Sequence, residues 1–223
     1  MLNKKELNFL SRNHLSTKRN YIERIINNKI ICMKEAKKYG KNYWDGKRKY
    51  GYGGYKFIEG RWSNIAKKII KKFNLNQDSK ILDVGCGKGF LLYEIKKIIP
   101  DCKVVGFDIS NYAIKHSKKE IRSFLFTHDM KNKFPFKKNY FDLTLSFACL
   151  HNLEINDLEF SLREISRVSK KSYIMVESYR NETELFNLQC WALTCESFFS
   201  KKEWIWIFKK FGYNQFYEFI YFL

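Results

Sequence analysis

The chain has 223 residues, a formal net charge of +19 and 45% hydrophobic residues, which excludes a disordered chain and fits one domain with a sizeable core. No apolar run approaches the roughly 18 residues that span a membrane. Charged residues also interrupt the N-terminal stretch, unlike a signal peptide, so we expect a cytoplasmic protein without a membrane span.

The basic charge leaves nucleic acid, an anionic membrane surface and anionic substrates open as partners. The lysines are scattered along the whole chain and fall mostly on the solvent faces of predicted helices or in loops. We interpret most of them as solvated surface, so nucleic acid binding is disfavoured but not excluded.

The cysteines indicate neither a metal site nor a disulfide framework. The six cysteines include no Cys-x-x-Cys pair and no accompanying row of histidines, which favours reduced structural thiols. No compact group of carboxylates follows the predicted fourth strand. We therefore expect no bound metal and predict an activity that survives EDTA.

Residues 1–61 are predicted to form a helical segment followed by an aromatic-rich segment. Apolar residues recur near helical spacing over residues 16–39. Residues 41–62, which we call the lid segment, have neither structural period and are dense in aromatic, glycine and basic residues, which predicts a loop. The lid segment is either a folded surface loop or a substrate-binding cover. In the second case its substrate contacts are Tyr43, Trp44, Arg48, Tyr52 and Tyr55.

Residues 79–92 are the most informative stretch, because they combine a buried strand, a glycine loop and the start of a helix. Gly85, Gly87 and Gly89 let the backbone turn sharply and approach a ligand closely. This arrangement is typical of a nucleotide pocket.

A second signal follows, since the next predicted strand ends in Asp108, roughly twenty residues on, where nucleotide-binding folds place the acid that binds a ribose diol. The dinucleotide fingerprint would put its third glycine at position 90, where the chain has Phe90 instead, one residue after Gly89. Asp83 before the loop would repel a pyrophosphate but suits a cationic ligand. The pattern therefore favours S-adenosylmethionine over a dinucleotide.

These residues resemble the first motif of class I S-adenosylmethionine-dependent methyltransferases, an acid followed by alternating glycines, here residues 83–89. Asp108 is similar to the ribose-binding acid of that family, and His-Asp-Met at residues 128–130 to its adenine-edge motif. Residues 141–153 resemble its fourth strand and the turn beyond. The resemblance covers residues 62–223. It is closest to the type 11-like group of the family, which methylates small molecules.

The resemblance implies an α/β fold, with a doubly wound, mostly parallel, Rossmann-like sheet of six or seven strands. Helices would cover both faces, and an N-terminal helical and aromatic lid would precede this methyltransferase domain. It also implies S-adenosyl-L-methionine as cofactor and S-adenosyl-L-homocysteine as product. The cofactor contacts it implies are Arg61, Asp83, Gly85, Cys86, Gly87, Gly89, Asp108, Ile109, His128, Asp129, Met130 and Ser146.

The other elements fit such a sheet. Predicted helices cover residues 63–73, 111–121, 157–168 and 201–211, and further predicted strands cover residues 124–127, 141–147, 173–177 and 215–222. Members of the family usually add a final antiparallel strand. Either residues 192–199 supply an extra strand or the edge is missing, which leaves both a monomer and a homodimer open.

Catalysis is expected at the carboxyl ends of the strands. His151 follows the fourth strand, as a general base or as a group that only positions substrate. Glu177 ends the fifth strand and is the second catalytic candidate. Arg180 and Trp191 follow it and are assigned to the substrate wall, with a surface ion pair as the alternative for Arg180.

We therefore predict methyl transfer to an oxygen or nitrogen of a small anionic metabolite, for example a nucleotide-linked sugar or a carboxylate-bearing amine. RNA or protein methylation is the alternative, and the net charge is its main support. A non-catalytic cofactor-binding subunit is a third reading, which the intact glycine motif disfavours.

Overall fold

The computed structural model describes residues 5–10, 14, 17 and 19–223. Within this part of the chain the helices are α1 (Tyr21–Ile26), α2 (Lys29–Ala36), α3 (Lys41–Asp45), α4 (Ser63–Phe73), α5 (Phe90–Ile98), α6 (Asn111–Lys115), α7 (Lys119–Arg122), α8 (Ile155–Val168), α9 (Glu182–Trp191) and α10 (Lys201–Lys210). Short 3-10 turns cover Arg48–Tyr50 and Leu150–Asn152. The strands are β1 (Lys80–Val84), β2 (Lys103–Asp108), β3 (Leu125–Thr127), β4 (Phe141–Phe147), β5 (Ser169–Glu177) and β6 (Phe216–Ile220).

The strands form one six-stranded sheet in the order β3-β2-β1-β4-β5-β6, and each neighbouring pair is parallel. The chain moves outward from β1 to β3 and then returns to the other side of β1 for β4. In open parallel sheets, ligands bind at such a switch point, beyond the carboxyl ends of the strands. The predicted Rossmann-like α/β fold is confirmed.

Each face of the sheet carries its own hydrophobic core, because successive side chains of a strand point to opposite faces. Ile81 of β1 packs in the cluster that includes α4 and α5. Its neighbour Leu82 packs in the cluster that includes α8 and α10. Ile81 and Leu82 are both fully buried. A sheet covered on both faces is rigid, so its loop ends can hold a site in fixed geometry.

The predicted helix over residues 16–39 is broken in the structure. Residues 16 and 18 lie outside the described part, and the remainder divides into α1 and α2 at Asn28, whose φ of 50° is left-handed. The apolar residues of this stretch include several exposed isoleucines, with Ile26 and Ile30 at 74% and 71%. Cys32 and Ala36 are the residues that α2 buries.

The lid segment is more regular than the predicted loop. It contains α3, which is one helical turn, and the 3-10 turn at Arg48–Tyr50. The single predicted helix over residues 111–121 is likewise two short helices, α6 and α7, since the chain leaves the helix at His116.

Residues 192–199 form no strand at the free edge of β6, so the alternative in which they supply an extra strand is wrong. Residues 5–7 run along this edge instead. The Leu7 amide donates to the Tyr217 carbonyl at 2.8 Å, and the Tyr217 amide donates to the Lys5 carbonyl at 3.1 Å. The buried Glu218 carboxylate then accepts from the amides of Phe9 and Leu10, each at 2.9 Å. The N-terminal segment is thereby fixed over the end of the sheet.

In the described part of the chain, no helix is both long and apolar enough to cross a membrane. Across residues 5–10, 14, 17 and 19–223 there is also no group of three His, Cys, Asp or Glu residues arranged to hold a metal ion.

Candidate functional site

The glycine loop, residues 85–89, needs glycine for both conformation and space. Gly85, Gly87 and Gly89 have φ values of 76°, 56° and 68°, in the left-handed region that side chains disfavour. A Cβ atom at Gly85 would lie 2.3 Å from the sulfur of Cys149, and one at Gly87 would lie 2.8 Å from the ring of Trp44. The loop is therefore packed against the turn that follows β4 and against the lid segment.

Asp108 ties the end of β2 to the glycine loop. One carboxylate oxygen accepts the amide of Gly87 at 2.8 Å, and the other accepts the amide of Ser110 at 2.8 Å. Burial raises the pKa of Asp108 to about 6, and these two hydrogen bonds oppose the rise. Burial, and next the charge of Asp108, raise the pKa of Asp83 to about 7. A cation bound beside these two acids would favour their ionised forms.

A cavity of about 320 Å³, which we call the strand-end cavity, opens over the carboxyl ends of β1, β2 and β4. It brings together Gly85, Asp108, Ile109, Asp129 and Met130 of the predicted cofactor set. Tyr43, Trp44 and Tyr52 of the lid segment form its other side. The remaining lining residues are Lys37, Tyr39, Lys131, Phe147, Ala148, Cys149, Asn152, Leu153, Thr194 and Glu196.

A second cavity of about 330 Å³ lies next to it, and we call it the arginine cavity because Arg19, Arg24, Arg48 and Arg61 all line it. His151 and Glu177 line the same cavity. The other lining residues are Leu10, His14, Thr17, Tyr43, Gly51, Tyr52, Trp62, Ile65, Ala148, Asn152, Met175, Trp191, Ala192, Leu193, Thr194, Ile220 and Phe222.

The two cavities share a wall made of Tyr43, Tyr52, Ala148, Asn152 and Thr194. Ala148 has a φ of 52°, a strained conformation that costs about 1–3 kcal/mol and clusters at functional sites. The Oδ1 atom of Asn152 is buried and has no hydrogen-bond partner within the described residues. Asn152 thus brings an unsatisfied polar atom into the shared wall.

His151 and Glu177 form a coupled pair in the arginine cavity. The Glu177 amide donates to His151 Nδ1 at 3.2 Å, which leaves the proton of the neutral ring on Nε2. That atom lies 3.4 Å from the Glu177 carboxylate. Burial lowers the pKa of His151, and the Glu177 charge opposes the fall. Both ring nitrogens are thus engaged, and His151 orients the carboxylate of Glu177.

The lid segment is held on the glycine loop by a nearly buried ion pair. Lys88 Nζ donates to both carboxylate oxygens of Asp45, at 2.8 and 2.7 Å, and to the Tyr55 carbonyl at 2.8 Å. The Trp44 indole donates to the Ser110 hydroxyl at 2.8 Å, and Tyr52 stacks on its ring at a centroid distance of 5.1 Å. The segment therefore covers the glycine loop.

Several predicted site residues lie away from both cavities. Arg180 pairs with Glu184 and lies over the Tyr221 ring, so its alternative reading as an ion pair describes it better than a substrate contact. Tyr55 stacks on Phe90. Six further residues of the predicted cofactor set line neither cavity and lie in or behind the glycine loop, and these are Asp83, Cys86, Gly87, Gly89, His128 and Ser146. Arg61 lines the arginine cavity and not the strand-end cavity.

Sequence reasoning missed Arg19, Arg24 and His14, which line the arginine cavity. They lie in or near the predicted N-terminal helix, and no motif marks them. Arg24 reaches the cavity because α1 packs against α9, whereas His14 and Arg19 precede α1 in the chain. Asn152 adjoins His151 in the sequence, and its position after the fourth strand is the one signal that could have identified it.

Comparison with known proteins agrees with the fold and the glycine loop. A family profile described as a methyltransferase domain matches residues 75–212, which is more than half of the chain. The chain therefore belongs to this family. It is a class I S-adenosylmethionine-dependent methyltransferase.

Two relatives show how far the likeness extends. The chain is 29% identical over 165 residues to the ubiquinone biosynthesis O-methyltransferase of Pelagibacter ubique. The aligned region covers 69% of this chain and 67% of that protein. It is 32% identical over 130 residues to the mitochondrial arginine-hydroxylase NDUFAF5 of Mus musculus, over 57% of this chain but only 36% of that protein. The common domain thus occurs in proteins with different named activities.

A solved structure shares the fold. The geranyl diphosphate C-methyltransferase of Streptomyces coelicolor, in complex with Mg²⁺, geranyl diphosphate and S-adenosyl-L-homocysteine, aligns with a TM-score of 0.53 at 16% identity. The alignment covers 66% of this chain and 60% of that chain. At this identity the likeness concerns the fold alone.

Proposed function

We propose that this methyltransferase moves the methyl group of S-adenosyl-L-methionine to an oxygen or nitrogen atom of a small anionic metabolite. The observation that carries the proposal is the pair of adjoining cavities, one at the strand ends beside Asp108 and one lined by four arginines. Each has the size of a small-molecule pocket, at the lower end of the usual range of roughly 300–1,000 Å³.

The strand-end cavity fits the cofactor in charge and in hydrogen bonding. The Asp108 carboxylate is available for the ribose hydroxyls, and Asp83 supplies a second negative charge near the glycine loop. Ile109 and Met130 give apolar surface for the adenine, and Asp129 borders them. The aromatic rings of Tyr43 and Tyr52 stand between this cavity and the next, where they favour a sulfonium by cation–π attraction.

When bound, S-adenosyl-L-methionine would supply an electrophilic methyl group to a lone pair of the substrate oxygen or nitrogen, and its sulfur would keep the electron pair of the broken carbon–sulfur bond. The acceptor loses a proton, and Glu177 is placed to receive it, since His151 holds its carboxylate beside the shared wall. The lid segment excludes water over the glycine loop, and the shared wall aligns donor and acceptor.

The similarity to the Pelagibacter ubique relative supports an oxygen atom as the methyl acceptor, because that protein is named as an O-methyltransferase. The arginines of the second cavity support an anionic group elsewhere on the substrate, since guanidinium groups pair with carboxylates and phosphates. A hydroxyl group on an anionic compound combines both features.

Calorimetry with S-adenosyl-L-homocysteine tests the cofactor site, and a screen of anionic metabolites with methyl-labelled cofactor tests the activity. We expect binding to the wild type and its loss in Asp108→Ala. Label should pass to hydroxylated or aminated anions and not to their neutral analogues. Binding that is unchanged in Asp108→Ala would remove the cofactor assignment, and label found only in RNA or protein would replace the small-metabolite class.

A further inference from the structure

Three guanidinium groups of the arginine cavity surround a single indole ring. The central carbons of Arg19, Arg24 and Arg48 lie 5.4, 4.9 and 4.9 Å from the ring centroid of Trp191. Stacking of this kind holds a guanidinium plane in place and leaves its N–H edge free for a ligand. We call this group the arginine cluster.

No carboxylate of the described residues forms an ion pair with the arginine cluster. Main-chain carbonyls fix its geometry instead. Arg24 donates to the Arg48 carbonyl at 2.6 Å, Arg48 donates to the Gly51 carbonyl at 2.5 Å, and Arg19 donates to the Thr17 carbonyl at 2.9 Å. These bonds position the side chains without neutralising their charge.

Gathering like charges in this way is unfavourable for the protein alone. Burial, and next the charge of Arg48, lower the pKa of Arg24 to about 10. Burial also lowers the pKa of Arg19. Arginine remains charged at neutral pH even so, and the cluster therefore carries three positive charges. Such an arrangement is expected where an anion supplies the compensating charge.

One buried donor of the arginine cluster also has no partner. Arg19 Nε makes no hydrogen bond within the described residues. The neighbouring His14 accepts from Arg19 at Nδ1 over 3.2 Å, because arginine can only donate, so its proton is on Nε2. Burial and the Arg19 charge lower the pKa of His14 to about 4, and a hydrogen bond with the Tyr221 backbone opposes the fall. The ring is therefore neutral at pH 7 and does not compensate the charge of the cluster.

We propose that the arginine cluster binds a phosphoryl group of the methyl-accepting substrate, an inference that rests on the proposed function. A carboxylate has two oxygens and one charge, whereas a phosphate ester has three terminal oxygens and close to two charges at neutral pH. The phosphate ester matches the charge and the number of N–H donors of three guanidinium groups better than a carboxylate does. The substrate class is thus a small phosphorylated metabolite, with its phosphoryl end at Trp191 and its accepting atom at Glu177.

The proposal is tested by calorimetry on the full chain saturated with S-adenosyl-L-homocysteine, with inorganic phosphate, succinate and acetate as probes. We expect phosphate to bind more tightly than succinate and much more tightly than acetate. The double variant Arg24→Met and Arg48→Met should weaken phosphate binding at least tenfold, because each substitution removes a charge-assisted hydrogen-bonding group. Lysine at both positions should restore part of the affinity, since charge returns without the planar fork.

The matched control removes the same charge elsewhere. Arg122 and Arg163 lie outside both cavities, and the double variant Arg122→Met and Arg163→Met should bind phosphate like the wild type. Equal weakening in both double variants, or phosphate binding no tighter than acetate binding, would overturn the phosphoryl site. Binding of S-adenosyl-L-homocysteine is measured separately in each variant. Phosphate binding without any binding of S-adenosyl-L-homocysteine would remove the proposed function and leave the anion site standing.

Discussion

The strand-end cavity and the arginine cavity adjoin each other but are built in different ways. One side of the first is the glycine loop with the ends of β2 and β4, where glycine conformations and a main-chain amide set the geometry, and its other side is the lid segment. The second is formed by side chains from α1, the lid segment, β5 and α9. The sheet ends thus supply the backbone part of the proposed cofactor site, and segments outside the sheet supply most of the proposed substrate site.

This difference separates what is general from what is particular to the chain. A backbone-built site tolerates few substitutions, because the required φ values and close approaches belong to the turn itself. A side-chain-built site changes with any segment that contributes a residue. The cofactor class therefore follows from the family, whereas the substrate depends on segments outside the sheet.

The largest expected effect is the loss of cofactor binding in Gly87→Val. The new Cβ would lie 2.8 Å from the Trp44 ring at a φ of 56°, so the loop or the lid segment must move. We expect affinity for S-adenosyl-L-homocysteine to fall more than about 100-fold, because an interaction worth several kcal/mol is lost. Calorimetry on the folded variant gives the measurement.

The matched control for this prediction is Gly212→Val. Gly212 also has a positive φ, of 75°, but a Cβ there meets no atom within 4 Å. Its variant should lose stability from backbone strain and bind cofactor normally. If both variants bound equally, the close approach of Trp44 to the loop would play no part in cofactor binding.

The next largest effect is expected from substitution of Glu177 in the arginine cavity. This substitution should leave the strand-end cavity intact, so it separates the two cavities. Glu177→Gln should lower kcat by about 100-fold or more, the contribution typical of a general base. Cofactor affinity should be unchanged. His151→Ala should lower the rate less, because His151 contacts Glu177 and holds its carboxylate. Single-turnover rates over a range of pH, with calorimetry beside them, make the test.

The order of these two variants is the decisive outcome. A full rate in Glu177→Gln together with a low rate in His151→Ala would assign the base to His151. Unchanged rates in both would mean that the acceptor needs no base, as for an amine that attacks in its neutral form.

The same contrast explains what the sequence could predict. The strand β1, its glycine loop and Asp108 follow from local residue types, because each needs only neighbours in the chain. Arg24 and Arg180 could not be assigned in this way. Arg24 reaches the cavity because α1 packs on α9, and Arg180 is taken up by Glu184 one helical turn later. A contact between distant segments decided the first case, and a local i,i+4 ion pair decided the second.

The lid segment joins the two regions, and its attachment predicts an intermediate effect. Lys88→Met breaks a nearly buried pair with Asp45, whose side chains are 5% and 23% exposed. Loss of one partner of such a pair is strongly destabilising. We expect hydrogen exchange over residues 41–62 to accelerate at least about tenfold, with S-adenosyl-L-homocysteine restoring part of the protection.

Lys97→Met is the control, because it breaks an exposed pair with Glu59 in the same segment. Exposed pairs contribute about 0–1 kcal/mol, so exchange should change little. Equal acceleration in both variants would mean that the burial of the Lys88 pair does not hold the lid segment.

The smallest effect concerns pH and again sets the strand-end cavity apart. Burial raises the pKa of Asp83 to about 7 and that of Asp108 to about 6. Between their ordinary pKa near 4 and these values, the folded protein holds more protons than the unfolded chain, so the contribution of these groups to stability falls as pH rises.

A cationic cofactor reverses this preference for the protonated acids, because it favours the ionised carboxylates. We therefore expect its affinity to rise several-fold from pH 6 to pH 8, and its thermal stabilisation to be larger at pH 8. Asp83→Asn should flatten the part of this dependence near pH 7, whereas phosphate binding in the arginine cavity should not follow Asp83 at all. An affinity for S-adenosyl-L-methionine that is constant over this range would show that neither acid changes its protonation when the cofactor binds.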